Sequence, residues 1–308
     1  MDIKQLECFV RVAELGSFTK ASAMLGISQS VLSRQVRQLE LEIKTHLLHR
    51  NGRGVTTTES GKRLVAHGKG ILRQIELARQ ELGDAEMSPI GKVVIGLPPS
   101  VGKLLTVRTV SHFRRQFANA SIGIVEGLTT TMQEWLLLGR LDFAILYHPT
   151  PVPELEYEHA WSEDLYLISP NPTGRKLPNR VRMADLSRYP LIIPSRPNSI
   201  RNMIETEFDR QHVALNIALE IDSITALTDL VAKGMGHAIL SRYAIQDHAM
   251  RDQLHAARIT TPHIASHIVI ATPTQRPLTR LAEQTIHVIK SIIADDIANS
   301  SDPDLYPV

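Results

Sequence analysis

Apolar residues recur at helical spacing over the first third of the chain and then shift to short, strand-like blocks. Leu6, Phe9, Val10 and Ala13 predict a helix over residues 2–14. Gly16-Ser17 breaks it, and Ser17 can cap a helix beginning at Phe18. Ala21 and Leu25 carry that helix to Gly26, a residue free to take the positive φ of a tight turn. Ser28 suits the N-cap of the next helix, whose buried stripe is Val31, Leu32, Val36, Leu39 and Ile43. Its other face shows Gln29, Ser30, Ser33, Arg34 and Arg37. The pattern is a helix-turn-helix whose second helix offers base-reading and phosphate-holding side chains near its start.

Beyond it, Asn51-Gly52 between Leu47-Leu48-His49-Arg50 and the β-formers Val55-Thr56-Thr57 signals a hairpin. This predicts a wing with Arg53 at its tip, where a guanidinium can enter the minor groove. Thr58-Glu59-Ser60-Gly61 opens a long helix to about Glu86. Leu64, Ile71 and Ala78 fall seven apart, as do Gly68, Ile75 and Leu82. Two interleaved heptad positions predict a coiled-coil seam with a second copy, the small Gly68 and Ala78 allowing close approach. A dimer would set two recognition helices about one DNA turn apart. Met87-Ser88-Pro89-Ile90-Gly91 reads as a hinge.

From residue 92 to 300 strands and helices alternate. Strand 92–97, a helix through Leu105 and Phe113, strand 121–125, helix 130–139 and strand 142–147 form a βαβαβ series with parallel strands. A second series follows: strands 165–169 and 191–194, helix 199–212, strand 217–221, helix 224–232 and strand 238–241. Strand 266–271 and helix 278–294 return to the first series, which predicts two lobes joined by crossing strands. The expected organisation is a winged domain over 1–59, a linker and dimerisation helix with hinge over 60–90, and a two-lobed domain over 91–300. Lobe one takes about 91–161 plus 266–300, lobe two about 162–265, and 301–308 is expected to be a disordered tail.

Composition sharpens this picture at two points. The net charge of the 308 residues is only +2, yet residues 1–63 carry ten Lys/Arg against six Asp/Glu, a balance of +4 that leaves −2 for the rest. A basic head on a slightly acidic body suits one domain that meets phosphates and another that faces something else. The single cysteine, Cys8, lies on an apolar helix face and reads as core filling. The opening lacks the apolar core of a signal peptide and no run approaches a membrane span, which predicts a cytoplasmic protein with no membrane partner.

Thr19-Lys20-Ala21-Ser22 through Leu39-Glu40, Leu47-Leu48-His49-Arg50, Arg53-Gly54-Val55 and Thr58-Glu59-Ser60-Gly61 together resemble the amino-terminal domain of LysR-type transcriptional regulators. Ile95-Gly96, Glu163-Asp164-Leu165, the segment Glu220 to Thr228 and Gly234-Met235-Gly236 are similar to the nitrogen-assimilation-control branch of that family. The resemblance implies an α/β chain overall: a winged helix-turn-helix, a long dimerising linker helix and a two-lobed effector domain like periplasmic binding proteins. It implies double-stranded DNA and further copies of the chain (a dimer or tetramer) as partners, and leaves room for RNA polymerase and a small-molecule effector. No cofactor and no enzymatic activity are expected. The chain departs from the family at Ser30, where proline is usual, at Val31, usually alanine, and at Leu48, usually phenylalanine.

On this reading the DNA-binding residues are Ser28, Gln29, Ser30, Ser33, Arg34, Arg37, Arg50 and Arg53. Gln29 and Arg34 are of the types that pair bidentately with adenine and guanine, whereas Ser33 and Arg37 suit phosphates. Effectors of two-lobed domains bind between the lobes, at strand ends and helix starts. The candidates there are Ser100, Val101, Thr129, Thr130, Tyr147, Ser195, Ile200, Arg201 and Thr225, although hydroxyls at such positions also serve as ordinary helix caps. His46-x-x-His49 has workable metal spacing but no Cys or carboxylate close in sequence, so no metal site is expected. Neither a Gly-x-Ser-x-Gly elbow nor a Gly-x-Gly-x-x-Gly turn occurs at the strand ends. The competing reading is a small-molecule-binding or enzymatic α/β protein whose N-terminal helices only dimerise. Such a protein has no reason to gather Arg34, Arg37 and Arg53 around one helix and its wing.

Overall fold

The computed structural model describes the chain except residues 52–53, 84–90, 176, 247–248, 300–304 and 307–308. It divides into two compact units, one formed by Met1–Met87 with Leu137–Arg140, the other by Ser88–Leu136 with Leu141–Val308. No described helix is long and apolar enough to cross a membrane.

The first unit runs α1 (Ile3–Leu15), α2 (Phe18–Leu25), α3 (Gln29–Glu42), β1 (Leu48–Asn51), β2 (Gly54–Thr57) and α4 (Glu59–Gly83). Its helix starts are closed by local hydrogen bonds. Asp2 accepts from the Gln5 N–H while the Gln5 side chain accepts from the Asp2 N–H, and Ser17 and Ser28 accept from Lys20 and Val31. The apolar stripes predicted for α1–α3 meet in one core of Leu6, Phe9, Val12, Ala21, Leu32, Val36 and Leu39, with Cys8 buried among them. The wing strands pair antiparallel from Leu48↔Thr57 to Asn51↔Gly54. Glu40 anchors this ribbon by accepting the backbone N–H of Leu47 at 2.8 Å and of Leu48 at 3.2 Å.

The seam expected on the long helix is split. A Cβ at Gly68 would meet Val10 Cγ2 at 2.9 Å and Leu6 Cδ1 at 3.0 Å, so the small residue serves α1 of its own chain rather than a partner helix. Leu64 likewise packs on the core of this unit, while Ile71 and Ala78 stay exposed. The reason is that the first turns of α4 close the helix-turn-helix core, which the heptad pattern alone could not reveal.

The second unit comprises β3 (Gly91–Leu97), α5 (Pro99–Gln116), β4 (Ala120–Glu126), α6 (Thr129–Leu137), β5 (Phe143–Tyr147), β6 (Leu155–Pro170), β7 (Arg180–Arg182), β8 (Leu191–Ile193), α7 (Ser199–Arg210), β9 (Ile217–Glu220), α8 (Ile224–Ala232), β10 (Ala238–Ser241), α9 (Tyr243–Gln246), β11 (Leu254–Thr260), β12 (Ala265–Pro273), α10 (Arg280–Asn299) and β13 (Leu305–Tyr306), with 3-10 turns at Met183–Arg188 and Arg251–Gln253. The sheet order is β4-β3-β5-β12-β6-β11-β7, with β10 and β13 also paired to β6. β3 lies parallel to both β4 and β5, as βαβ crossovers require.

One strand organises this unit. β6 begins at Leu155, well before the strand predicted from Leu165, and runs unbroken to Pro170. Its first part pairs with β12 and its second with β10 and β11. Each half borders its own core. Phe113, Phe143, Trp161, Ile268 and Ile289 bury on one side, and Leu165, Leu167, Ile193, Phe208 and Ile259 on the other. β7 and β11 had no counterpart in the sequence reading. The stretch Leu-His-Ala-Ala-Arg-Ile-Thr of β11 mixes small and polar residues, and it becomes a strand through long-range pairing to β6. The disordered tail expected at 301–308 lies outside the described residues apart from Leu305–Tyr306, which pair with β6.

Candidate nucleic-acid interface and interlobe cleft

The turn between α2 and α3 is closed by Gly26 at φ 65°, with its N–H reaching the carbonyls of Ser22 and Ala23. That geometry leaves the start of α3 projecting. Ser28, Gln29, Ser30, Arg34 and Arg37 are exposed, and Ser33 is half-buried. The Ser28 and Ser30 hydroxyls lie 3.0 Å apart, and Thr19 Oγ1 donates to Gln29 Oε1 at 3.5 Å. Among the described residues, neither Arg34 nor Arg37 has an ion pair or side-chain hydrogen bond. Two unpaired guanidiniums one turn apart, beside two hydroxyls and an amide, form a surface with donors for base edges and phosphates. The Arg50 side chain and the whole of Arg53 lie outside the described residues.

The second unit holds a cavity of about 90 Å³ between its two cores. Of the nine candidates from sequence, Ser100, Thr129, Tyr147 and Ile200 line it. The Ser100 hydroxyl sits 3.1 Å from the Tyr147 hydroxyl, which donates to Glu163 Oε1 at 3.2 Å, while Thr129 donates to the Tyr147 carbonyl at 3.1 Å. The other five are placed otherwise. Val101 is buried in a lobe core, and Thr130 and Thr225 are exposed off the lining. Ser195 lies beside the lining and donates its N–H to Asp222 at 2.8 Å. Arg201 is buried and committed to Glu205, Glu220 and the Pro194 carbonyl. It braces α7 and β9 and does not reach the cavity.

Helix starts differ in what they leave open. Asn198 caps the first N–H groups of α7 and Ser223 those of α8, whereas α5 begins after Pro98 with no side-chain cap. The α5 start, after Pro99, therefore presents the Ser100 N–H without a side-chain acceptor on the cavity wall. Glu163 was missed as a site residue because its neighbours in sequence read as a strand. It is 5% exposed, and burial pushes its carboxyl up to about 7 against hydrogen bonds from Tyr147, Trp161 and Ser241. Burial, and then the nearby Glu163, hold the Tyr147 phenol well above its ordinary range, so it stays a neutral donor.

Comparison with known proteins decides the identity. A family model described as the LysR substrate binding domain matches residues 86–292, and one described as a bacterial regulatory helix-turn-helix protein of the lysR family matches residues 3–62. The chain belongs to the LysR family of transcriptional regulators. It is 31% identical over 296 residues to the nitrogen assimilation regulatory protein nac of Klebsiella aerogenes, covering 96% of each chain. In fold it is similar to a full-length OxyR variant from Pseudomonas aeruginosa, with a TM-score of 0.72, 20% identity and 100% and 98% of the two chains covered. It is also similar to full-length CbnR complexed with its target DNA, with a TM-score of 0.71, 20% identity and coverage of 95% and 100%. As a LysR-type protein it is a DNA-binding transcriptional regulator with an effector-binding domain, not an enzyme. The helix-turn-helix model covers α1–α3 and the wing, and the substrate-binding model covers the cavity at Glu163.

Proposed function

We propose that the regulator reads DNA with the exposed start of α3, Gln29 and Arg34 addressing base edges while Ser28, Ser30, Ser33 and Arg37 hold phosphates, and that Arg50 and Arg53 contribute from the wing. The observation carrying this reading is the pair of unpaired guanidiniums, Arg34 and Arg37, on the face opposite the buried Leu32, Val36 and Leu39. A structural helix would have no use for that arrangement. The protein acts in the cytoplasm, where its DNA is, as a homo-oligomer joined through the part of α4 that carries the exposed Ile71 and Ala78. A small effector in the interlobe cavity, against the open α5 start, Ser100, Tyr147 and Glu163, shifts the arrangement of the lobes and so of the DNA contacts.

The test is fluorescence anisotropy of the full chain with DNA from its own upstream region, across a salt series, for wild type and Arg34→Ala. Binding should fall steeply with salt, and the variant should lose about ten- to a hundredfold in affinity for the selected sequence with little change on unrelated DNA. Equal sequence selectivity in wild type and variant would move base reading away from Arg34.

A further inference from the structure

The second half of β6 borders another concavity, which shares no lining residue with the interlobe cavity. It encloses about 610 Å³ on the face of lobe two formed by β6, β11 and β7, closed by the turn Arg251–Gln253. Among the described residues four arginines line it, Arg180, Arg242, Arg251 and Arg258, against one carboxylate, Asp252. Strand register explains the crowding. Tyr166 of β6 pairs with Arg258 of β11, and Arg258 pairs with Arg180 of β7, so these three stand in one row on one sheet face. Like charges directly opposite on neighbouring strands are destabilising. Arg258 is partly offset, since its Nε donates to Asp164 Oδ2 at 2.9 Å and its Nη2 bonds to the same oxygen. Arg180 and Arg251, in contrast, have no ion pair or side-chain hydrogen bond among the described residues.

We infer that this cavity is a binding site for a small polyanion, a metabolite bearing a phosphate or several carboxylates. A guanidinium presents its donors as a rigid fork that matches both groups bidentately. A concave wall concentrates the positive potential over the enclosed volume. The volume lies within the range of small-molecule sites, and the lining offers fixed charge where an apolar ligand would need carbon. An anion seated between Arg180, Arg251 and Arg258 removes the like-charge repulsion that the strand register otherwise imposes. This inference stands apart from the effector cavity at Glu163 and survives if that cavity proves empty of function.

The experiment is isothermal titration of the full-length protein with inorganic pyrophosphate and, separately, citrate at low salt. Three forms are compared: wild type, Arg180→Gln/Arg251→Gln and Arg34→Ala/Arg37→Ala. The last is needed because the DNA-binding face also attracts anions. Saturable one-to-one binding is expected in wild type and in the Arg34/Arg37 variant. The Arg180/Arg251 variant should bind at least about tenfold more weakly, since each charge-assisted hydrogen bond contributes roughly 1.5–3 kcal/mol. Its unfolding midpoint without anion should match or exceed that of wild type, because both side chains are exposed and unpaired. Whichever probe binds more tightly identifies phosphate or carboxylate as the group recognised. No saturable heat at millimolar probe overturns the site, as does equal binding by the Arg180/Arg251 variant, or loss in the Arg34/Arg37 variant alone.

Discussion

The carboxyl of Glu163 offers a direct check on the interlobe cavity. Folding raises it from 4.5 to about 7 by burial. The folded state therefore holds this proton more tightly than the unfolded chain does. Its stability is greatest below pH 4.5 and is lost as the pH climbs through about 7. The full penalty is about 3 kcal/mol, at roughly 1.4 kcal/mol for each unit of displacement. Between about pH 5.5 and pH 8 the loss assignable to this one group is about 2 kcal/mol. Glu163→Gln keeps the side-chain shape and an acceptor for the Tyr147 hydroxyl but cannot ionise. Urea denaturation of the full chain across that range should show wild type losing about 2 kcal/mol relative to the variant as the pH rises. His148, His159 and His237 are depressed by burial and titrate with the opposite slope, but they are common to both proteins and cancel in the difference. Parallel curves for the two proteins would refute the claim that burial raises the Glu163 carboxyl.

Three further outcomes follow from single residues. Gly61→Ala should destabilise the DNA-binding unit by about 2–3 kcal/mol, measured as a lower urea midpoint for loss of DNA binding, because the new Cβ lands on the Leu47 carbonyl. Helix propensity alone would have made that change favourable. Arg258→Ala strands the buried Asp164 carboxylate and should cost about 3–5 kcal/mol in unfolding free energy, much of it recovered when Asp164→Asn is added. Arg37→Ala should weaken binding to all DNA sequences alike and reduce the slope of log affinity against log salt by about one, as loss of a phosphate contact requires.

Local signals carried much of this protein. Caps at Ser17 and Ser28, the glycine turn at Gly26, and the stripe Leu32-Val36-Leu39 are decided within a few residues of one another, so the helix-turn-helix and its exposed face were legible in order along the chain. The βαβαβ opening of the second unit was legible for the same reason, each element carrying its own period. What the chain could not reveal by itself depends on residues far apart. Gly68 is small because Leu6 and Val10 stand against it. β11 is a strand because β6 and β7 flank it, and Arg201 is a brace because Glu205, Glu220 and the Pro194 carbonyl surround it. Glu163 became a cavity residue, and the arginines of lobe two became neighbours, only when strands distant in sequence were brought into register. Hydrogen-bonding type and helical period are properties of short segments, whereas burial and charge proximity are properties of the packed chain. The sequence alone therefore determined the helix-turn-helix and the exposed polar face of α3, while the tertiary structure decided which side chains share a cavity.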